Sequence, residues 1–318
     1  MHMDLDLPVD VVRRYERLDP IDGRRLKRAI ESGEWVRIAA GVFVPGDQWR
    51  ALLPIERHRV RVLEAMRRLT RPTTFVLFAA AAFWRMDVLG PWPTQVDVAA
   101  AGSRGGRATG SIRRHAVSPD ALAVIAAGGH SVTTPAQTAT DIARALPHLR
   151  GVTAIDQALW VGRPGGPLTT RRELELALDR GPARRGHVRA RLSVAAGEDG
   201  AANVRETQAR VEIIRLGFPR PRLQERRLLR SGRLVFGDMY FPDADHWLEV
   251  DGDGKYLSPE FTHGRAPERI VLDEKARENE IRREVRGFSR LGARDADHPR
   301  TLYDILALDG LRSALPRP

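Results

Sequence analysis

The sequence predicts an α/β (α+β) protein in three parts, and three observations carry that reading. Near the N-terminus a basic helix pattern precedes two short apolar runs at 35–44. In the middle, apolar strand patterns alternate with amphipathic helix patterns. Towards the C-terminus two apolar runs carrying acids, 234–241 and 247–251, flank a Pro/Asp-rich turn and lie between helix patterns. The boundaries predicted are 1–50, 51–197 and 198–318, the last marked by the Gly-Glu-Asp-Gly run at 197–200.

Composition limits the partners. The chain has 318 residues, enough for two or three domains, and 42% are hydrophobic. Lys and Arg number 52 against 41 Asp and Glu, a formal charge of +11. That excess favours polyanions, and arginine pairs bidentately with phosphate; a high-GC genome enriches Arg, Ala and Gly in the same direction. Cys is absent, which excludes disulfides and thiolate metal sites and suits a reducing cytoplasm. No apolar run has the length of a membrane span. The acidic start Met1-His2-Met3-Asp4-Leu5-Asp6 lacks the basic opening of a signal peptide. A cytoplasmic protein with no membrane partner is expected.

In order along the chain, 11–18 reads as a short helix, 19–23 as a turn, and 24–32 as a second helix stopped by Gly33. Two strands then run around Ala40-Gly41. Helix, turn, basic helix and hairpin is the order of a winged helix-turn-helix, whose second helix enters the major groove. Arg24, Arg25, Lys27 and Arg28 on that helix, with Arg37 on the hairpin, are the candidate DNA-binding residues. A solvated charged face is the competing reading.

The middle part shows no catalytic constellation. Residues 55–69 form a basic amphipathic helix pattern, 75–83 an apolar buried one, and 95–100 and 111–117 strands. The Gly/Arg/Ser loop between those strands lacks the spacing of a phosphate-cradling loop. Thr134 and Pro135 stand at the N-cap and first helical position of another helix. Asp141 within it reads as a structural hydrogen-bonding group. Thr169 and Thr170 cap a further helix through Leu178.

The C-terminal part opens with a helix over 203–217, with Asn203 as N-cap, Glu206 in the first turn and Gly217 as its stop. Pro219, Pro221 and Leu223-Gln224 follow, then the acidic hairpin. Its first strand carries Asp238, its second Glu249 and Asp251. Residues two apart on a strand share a face, so Glu249 and Asp251 point one way and Leu248 and Val250 the other, into a core. Carboxylates in so apolar a setting need compensation. A divalent cation, Mg²⁺ (or Mn²⁺), supplies it, making Asp238, Glu249 and Asp251 candidate metal ligands. The run Asp251-Gly252-Asp253-Gly254 lacks the remaining ligands of a calcium loop. A charged helix over 274–284 and a last strand over 285–291, bearing Arg290, complete the part.

Glu206, residues 219–224, Asp238, Glu249-Val250-Asp251-Gly252, Lys255-Tyr256 and Glu274-Lys275-Ala276-Arg277-Glu278 together resemble the restriction-endonuclease-like PD-(D/E)xK superfamily, in its very-short-patch-repair branch. The resemblance covers about 202 to the C-terminus. It implies a mixed sheet flanked by helices, with Asp238 and Glu249 holding the metal. Gln224 would begin the strand after the first helix, and Glu206 would be an accessory carboxylate orienting a water or ligand. The superfamily usually has Lys two residues after the Glu. Here that position is Asp251, and Lys255 would have to swing back to stabilise developing charge. The N-terminal part, through Leu26, Ile30, Gly33, Trp35-Val36-Arg37-Ile38 and Gly41-Val42-Phe43-Val44, resembles AbiEi-type antitoxin regulators of type IV toxin–antitoxin systems. Residues 133–144 and 156–159 extend that resemblance into an α/β domain.

Two functions follow as expectations. In the first, a winged helix locates DNA and a metal-dependent endonuclease domain hydrolyses its phosphodiester bonds, in genome defence or repair. In the second, the chain is an antitoxin or transcriptional repressor with a cognate toxin protein as partner, and its nuclease-like domain is inert.

Overall fold

The computed structural model describes residues 6–14, 23–100, 108–117, 121–180, 185–251 and 267–318. The protein is of the α/β class. It divides into two compact units, Met1–Leu159 with Pro167–Gly197, and Trp160–Gly166 with Glu198–Pro318.

The first unit opens with β1 (Val12–Arg13), α1 (Gly23–Glu31), β2 (Trp35–Ala39), β3 (Val42–Pro45), α2 (Gly46–Ala51) and α3 (Pro54–Arg68). The strands form an antiparallel sheet in the order β1-β3-β2. Ile38, Val42, Val44, Trp49 and Val60 make its core. The helix expected over 11–18 is corrected here: Val12 pairs with Phe43 as a strand, and 15–18 lie outside the described residues. Two physical reasons favour the strand. Val11 and Val12 are β-branched, and the extended backbone lets Arg13 reach Glu64 of α3 in a buried ion pair at 2.7 Å.

The same unit continues with β4 (Thr74–Phe75), α4 (Leu77–Phe83), β5 (Val96–Ala100), β6 (Ala108–Thr109), β7 (Ile112–Ala116), β8 (Val124–Ala127) and β9 (His130–Thr133). Then come α5 (Pro135–Ala145), α6 (His148–Leu159), α7 (Arg171–Asp179) and α8 (His187–Ala195). The sheet order is β6-β7-β5-β4-β9-β8, with β5 parallel to β7 and β4 parallel to β9. The apolar stretch at 75–83 is buried as its composition requires, Ala79 to Ala82 having no exposed surface. Thr134 caps α5, its hydroxyl accepting from Gln137 N. Asp141 is structural: it accepts from Gln137 Nε2 at 2.9 Å and from Arg144 Nη1 at 3.0 Å.

His58 of α3 is buried and donates through Nδ1 to the Pro93 carbonyl at 2.9 Å. Burial lowers its pKa from 6.5 to about 4. The unfolded chain therefore takes up this proton first as pH falls. The stability His58 contributes is whole above about pH 6.5 and is lost progressively towards pH 4. Denaturant titrations at pH 7 and pH 4 are expected to show a decline that is smaller by about 3 kcal/mol in His58→Gln than in wild type. Equal declines would contradict the burial.

The second unit contains α9 (Val204–Arg215), β10 (Arg222–Leu228), β11 (Leu234–Phe241), β12 (His246–Val250), α10 (Pro267–Arg282), β13 (Gly287–Leu291) and α11 (Pro299–Leu308). The sheet order is β10-β11-β12-β13. The first two pairings are antiparallel, and β12 and β13 are parallel, as the intervening α10 requires. Met239, Phe241, Leu248, Val250 and Leu291 pack with Ala209 and Ile213 of α9 and with Leu302 and Leu306 of α11. Tyr240, Trp247 and Phe288 pack with Ile281 of α10. Leu248 and Val250 thus enter the core while Trp247 and Glu249 turn towards α10, the alternation expected of a strand.

Candidate functional site

The turn at 242–245 closes because Asp245 adopts a left-handed backbone, φ 45°, and accepts from the Tyr240 hydroxyl at 2.8 Å. The hairpin so formed pairs Met239 with Leu248. Next to that pair the Asp238 carboxylate accepts from Val250 N at 2.8 Å. Asp238 and Glu249 therefore stand on adjacent strands at one end of the sheet, with Asp251 just beyond. Across β10, the pairs Leu223–Met239 and Glu225–Gly237 flank Gln224, which places it opposite Asp238. Gln224 has φ 50°, a left-handed conformation that costs a non-glycine residue energy inside a strand. β10 begins at Arg222, so Gln224 lies early in the strand after the first helix.

Arginines compensate two of the three acids. Glu249 is 5% exposed and accepts from Trp247 Nε1 at 3.1 Å and from Arg277 Nη2 at 2.6 Å. Arg277 also holds Glu274 on the same helix, at 2.8 and 3.0 Å. Asp251 accepts both arms of Arg290, at 2.8 and 3.0 Å, in the bidentate geometry that suits a carboxylate. Arg290 continues to Glu278 at 2.8 Å, and Glu278 to Arg282 at 2.7 Å. Burial works against the charge on Arg277, but its hydrogen bonds to Glu274 and Glu249 outweigh that and raise its pKa. Burial likewise pushes Glu278 up, and Arg282 and Arg290 more than reverse it, leaving its pKa below the usual value.

The other expected site residues are placed differently. Glu206 is buried in the first turn of α9, accepting from Ala202 N at 2.7 Å and Asn203 Nδ2 at 2.5 Å. It joins Asn203, whose Oδ1 accepts from Arg205 N and Glu206 N, in closing the helix N-terminus. Lys255 lies outside the described residues. Arg277 and Arg290, which touch the acids directly, read in the sequence only as charges on a helix and a strand. Their partners are 28 and 39 residues away along the chain. The one sequence signal is the strand-helix-strand order, which sets Glu249 beside Arg290 in the parallel register.

A cation such as Mg²⁺ needs oxygen donors, and Asp238, Glu249 and Asp251 match that in kind. Among the described residues no group of three or more His, Cys, Asp or Glu stands at metal-holding geometry. Glu249 and Asp251 would have to exchange an arginine for the metal.

In the first unit, Arg24, Arg25, Lys27 and Arg28 are all exposed, and α1 buries no residue. Lys27 lies 3.8 Å from Glu31. Arg37 is exposed on β2, its Nε 3.4 Å from the Ala39 carbonyl. Together they form a basic surface on a helix immediately ahead of a hairpin.

No protein-family model matches the sequence, and no curated protein matches it significantly.

Proposed function

We propose that this protein binds DNA through α1 and the β2–β3 hairpin and that its second unit is a metal-dependent DNA endonuclease. One observation carries the reading: Asp238 and Glu249 stand on neighbouring strands, Asp238 bonded to Val250 N beside Glu249, in a four-stranded mixed sheet whose order is helix, three antiparallel strands, helix and parallel strand. That order accords with the restriction-endonuclease-like resemblance. Asp238 and Glu249 would hold Mg²⁺ or Mn²⁺, with Asp251 beside them. The bound metal would polarise the scissile phosphate and lower the pKa of the attacking water. Arg277 and Arg290 hold the Glu249 and Asp251 carboxylates in place until then, and Lys255 would stabilise developing charge. Nicking of supercoiled DNA that requires the metal, and that Asp238→Asn abolishes, tests this.

The two arginine clamps favour a second reading. A nuclease-like unit in which Glu249 and Asp251 are already paired with arginines, with Asp251 at the usual lysine position, suits an inert module in an AbiEi-type repressor with a toxin partner. DNA binding is common to both readings. Replacing Arg24, Arg25, Lys27 and Arg28 together by Ala is expected to flatten the slope of log K against log salt, by about 0.9 for each phosphate the helix no longer neutralises. Binding isotherms on a duplex across a salt series read that slope. Unchanged affinity and slope would remove α1 as the reader.

A further inference from the structure

The first unit contains a second feature that neither reading uses. A cavity of about 440 Å³ opens between α4, α5 and the sheet, lined by Phe78, Trp92, Ile142, Arg113, His115 and Arg150 among others. Its volume lies in the range of small-molecule sites.

The aromatic wall is held in place. Trp92 meets Phe78 edge-on with centroids 5.2 Å apart and has the buried His58 ring behind it at 5.4 Å. Its Nε1 donates to Asp87 at 3.2 Å.

The cations are held in place too. The fully buried Asp97 accepts at a single oxygen, Oδ1, from Arg113 Nε at 2.6 Å and His115 Nε2 at 2.7 Å. Burial pushes the Asp97 pKa up, but these two bonds more than offset it and keep the carboxylate ionised. Both terminal nitrogens of Arg113 remain without a partner among the described residues. Among the described residues Arg150 donates to two carbonyls, Leu89 at 2.5 Å and Pro91 at 3.1 Å, and lies 5.5 Å over the Phe78 ring. Among the described residues that line the cavity none is a carboxylate, and burial lowers the Arg150 pKa. A partly buried guanidinium supported by carbonyls and a ring is a donor awaiting an anion.

Charge decides the class of ligand. Among the described residues the cavity lining holds two guanidinium groups, Arg113 and Arg150, and no carboxylate. The ligand must bring the acceptor oxygens, as a carboxylate does. The apolar walls require a ring or hydrocarbon body. We infer that this cavity binds an aromatic monocarboxylate, its carboxylate on Arg113 and Arg150 and its ring against Phe78 and Trp92. The inference stands independently of the endonuclease reading.

Titration calorimetry on the full chain tests it, with benzoate and indole-3-acetate as probes, benzamide as the uncharged ring and inorganic phosphate as the ringless anion. Both acids are expected to bind at millimolar concentration or below, with benzamide and phosphate weaker by about tenfold or more. Arg150→Gln should weaken the acids by a similar factor. Because Arg150 also ties two backbone carbonyls, a second variant keeps the test decisive. Ala145 ends α5 at the cavity and is exposed, so Ala145→Phe fills space with every charge kept. It should abolish binding while leaving the melting temperature unchanged. No heat from either acid, equal binding of benzamide and benzoate, or full binding by a folded Ala145→Phe chain would overturn the inference.

Discussion

Glu249→Ala is expected to destabilise the second unit by about 3 kcal/mol, whereas Glu249→Gln should cost about 1. Glu249 is almost completely buried, and its two oxygens hold the Trp247 indole N–H and the Arg277 guanidinium. Truncation leaves the Trp247 N–H without its acceptor and takes one of two carboxylates from Arg277, in a site that is nearly buried. Breaking a buried pair in this way commonly costs about 3–5 kcal/mol. The lower end applies because Arg277 is 18% exposed and keeps Glu274. Gln retains one acceptor oxygen for Arg277 and the side-chain volume, so it should fold. If the endonuclease reading holds, it should be as inactive as Ala. Denaturant unfolding of the three proteins separates the two effects. An Ala variant as stable as wild type would show that Arg277 does not depend on Glu249.

Gly237→Ala should be nearly as damaging, for steric reasons. A Cβ at this position would lie 2.3 Å from the Cε2 and Cζ2 atoms of Trp247. That indole has no exposed surface and carries the Arg227 guanidinium over its ring at 5.7 Å. It cannot move without displacing Tyr240, whose ring centroid is 6.2 Å away. Overpacking of this kind costs about 1–3 kcal/mol. The pair should also be coupled: in a Trp247→Leu background the smaller side chain frees the space, so Gly237→Ala should cost much less there. Additive costs in the double variant would contradict the steric clash.

How much of this can be read from the residues depends on range. Local patterns serve well: Asn203, Thr134 and Thr170 cap the helices their chemistry suits. The alternation over Trp247, Leu248, Glu249 and Val250 places Leu248 and Val250 in one core and turns Trp247 and Glu249 to the other face. The stretch at 11–18 misleads because its helical periodicity is weak. What settles Val12 and Arg13 is a strand partner at Phe43 and an ion pair with Glu64, both remote in sequence. The acids are legible as costly but their compensation is not. A lone sequence shows that Glu249 and Asp251 need positive charge nearby; it does not show that α10 and β13 deliver Arg277 and Arg290 to them. Glu206 illustrates a related limit, because a carboxylate in a first helical turn serves a cap as readily as a metal site. The cavity at Phe78 and Trp92 is hidden for the same reason: its polar side chains, Arg113, His115 and Arg150, are spread over β7 and α6.

The measurement that bears most directly on the proposed activity is incubation of the wild-type chain with supercoiled, linear and mismatched DNA, each with Mg²⁺, with Mn²⁺ and with chelator. Nicking or cleavage of at least one form is expected with metal, and none with chelator. The same metals should raise the melting temperature, since a ligand bound only by the folded state stabilises it. Asp238→Asn should lose both effects. A wild-type protein that cuts no DNA form with either metal, and whose melting temperature neither metal moves, would contradict the endonuclease reading and leave the arginine-clamped, inert module in its place.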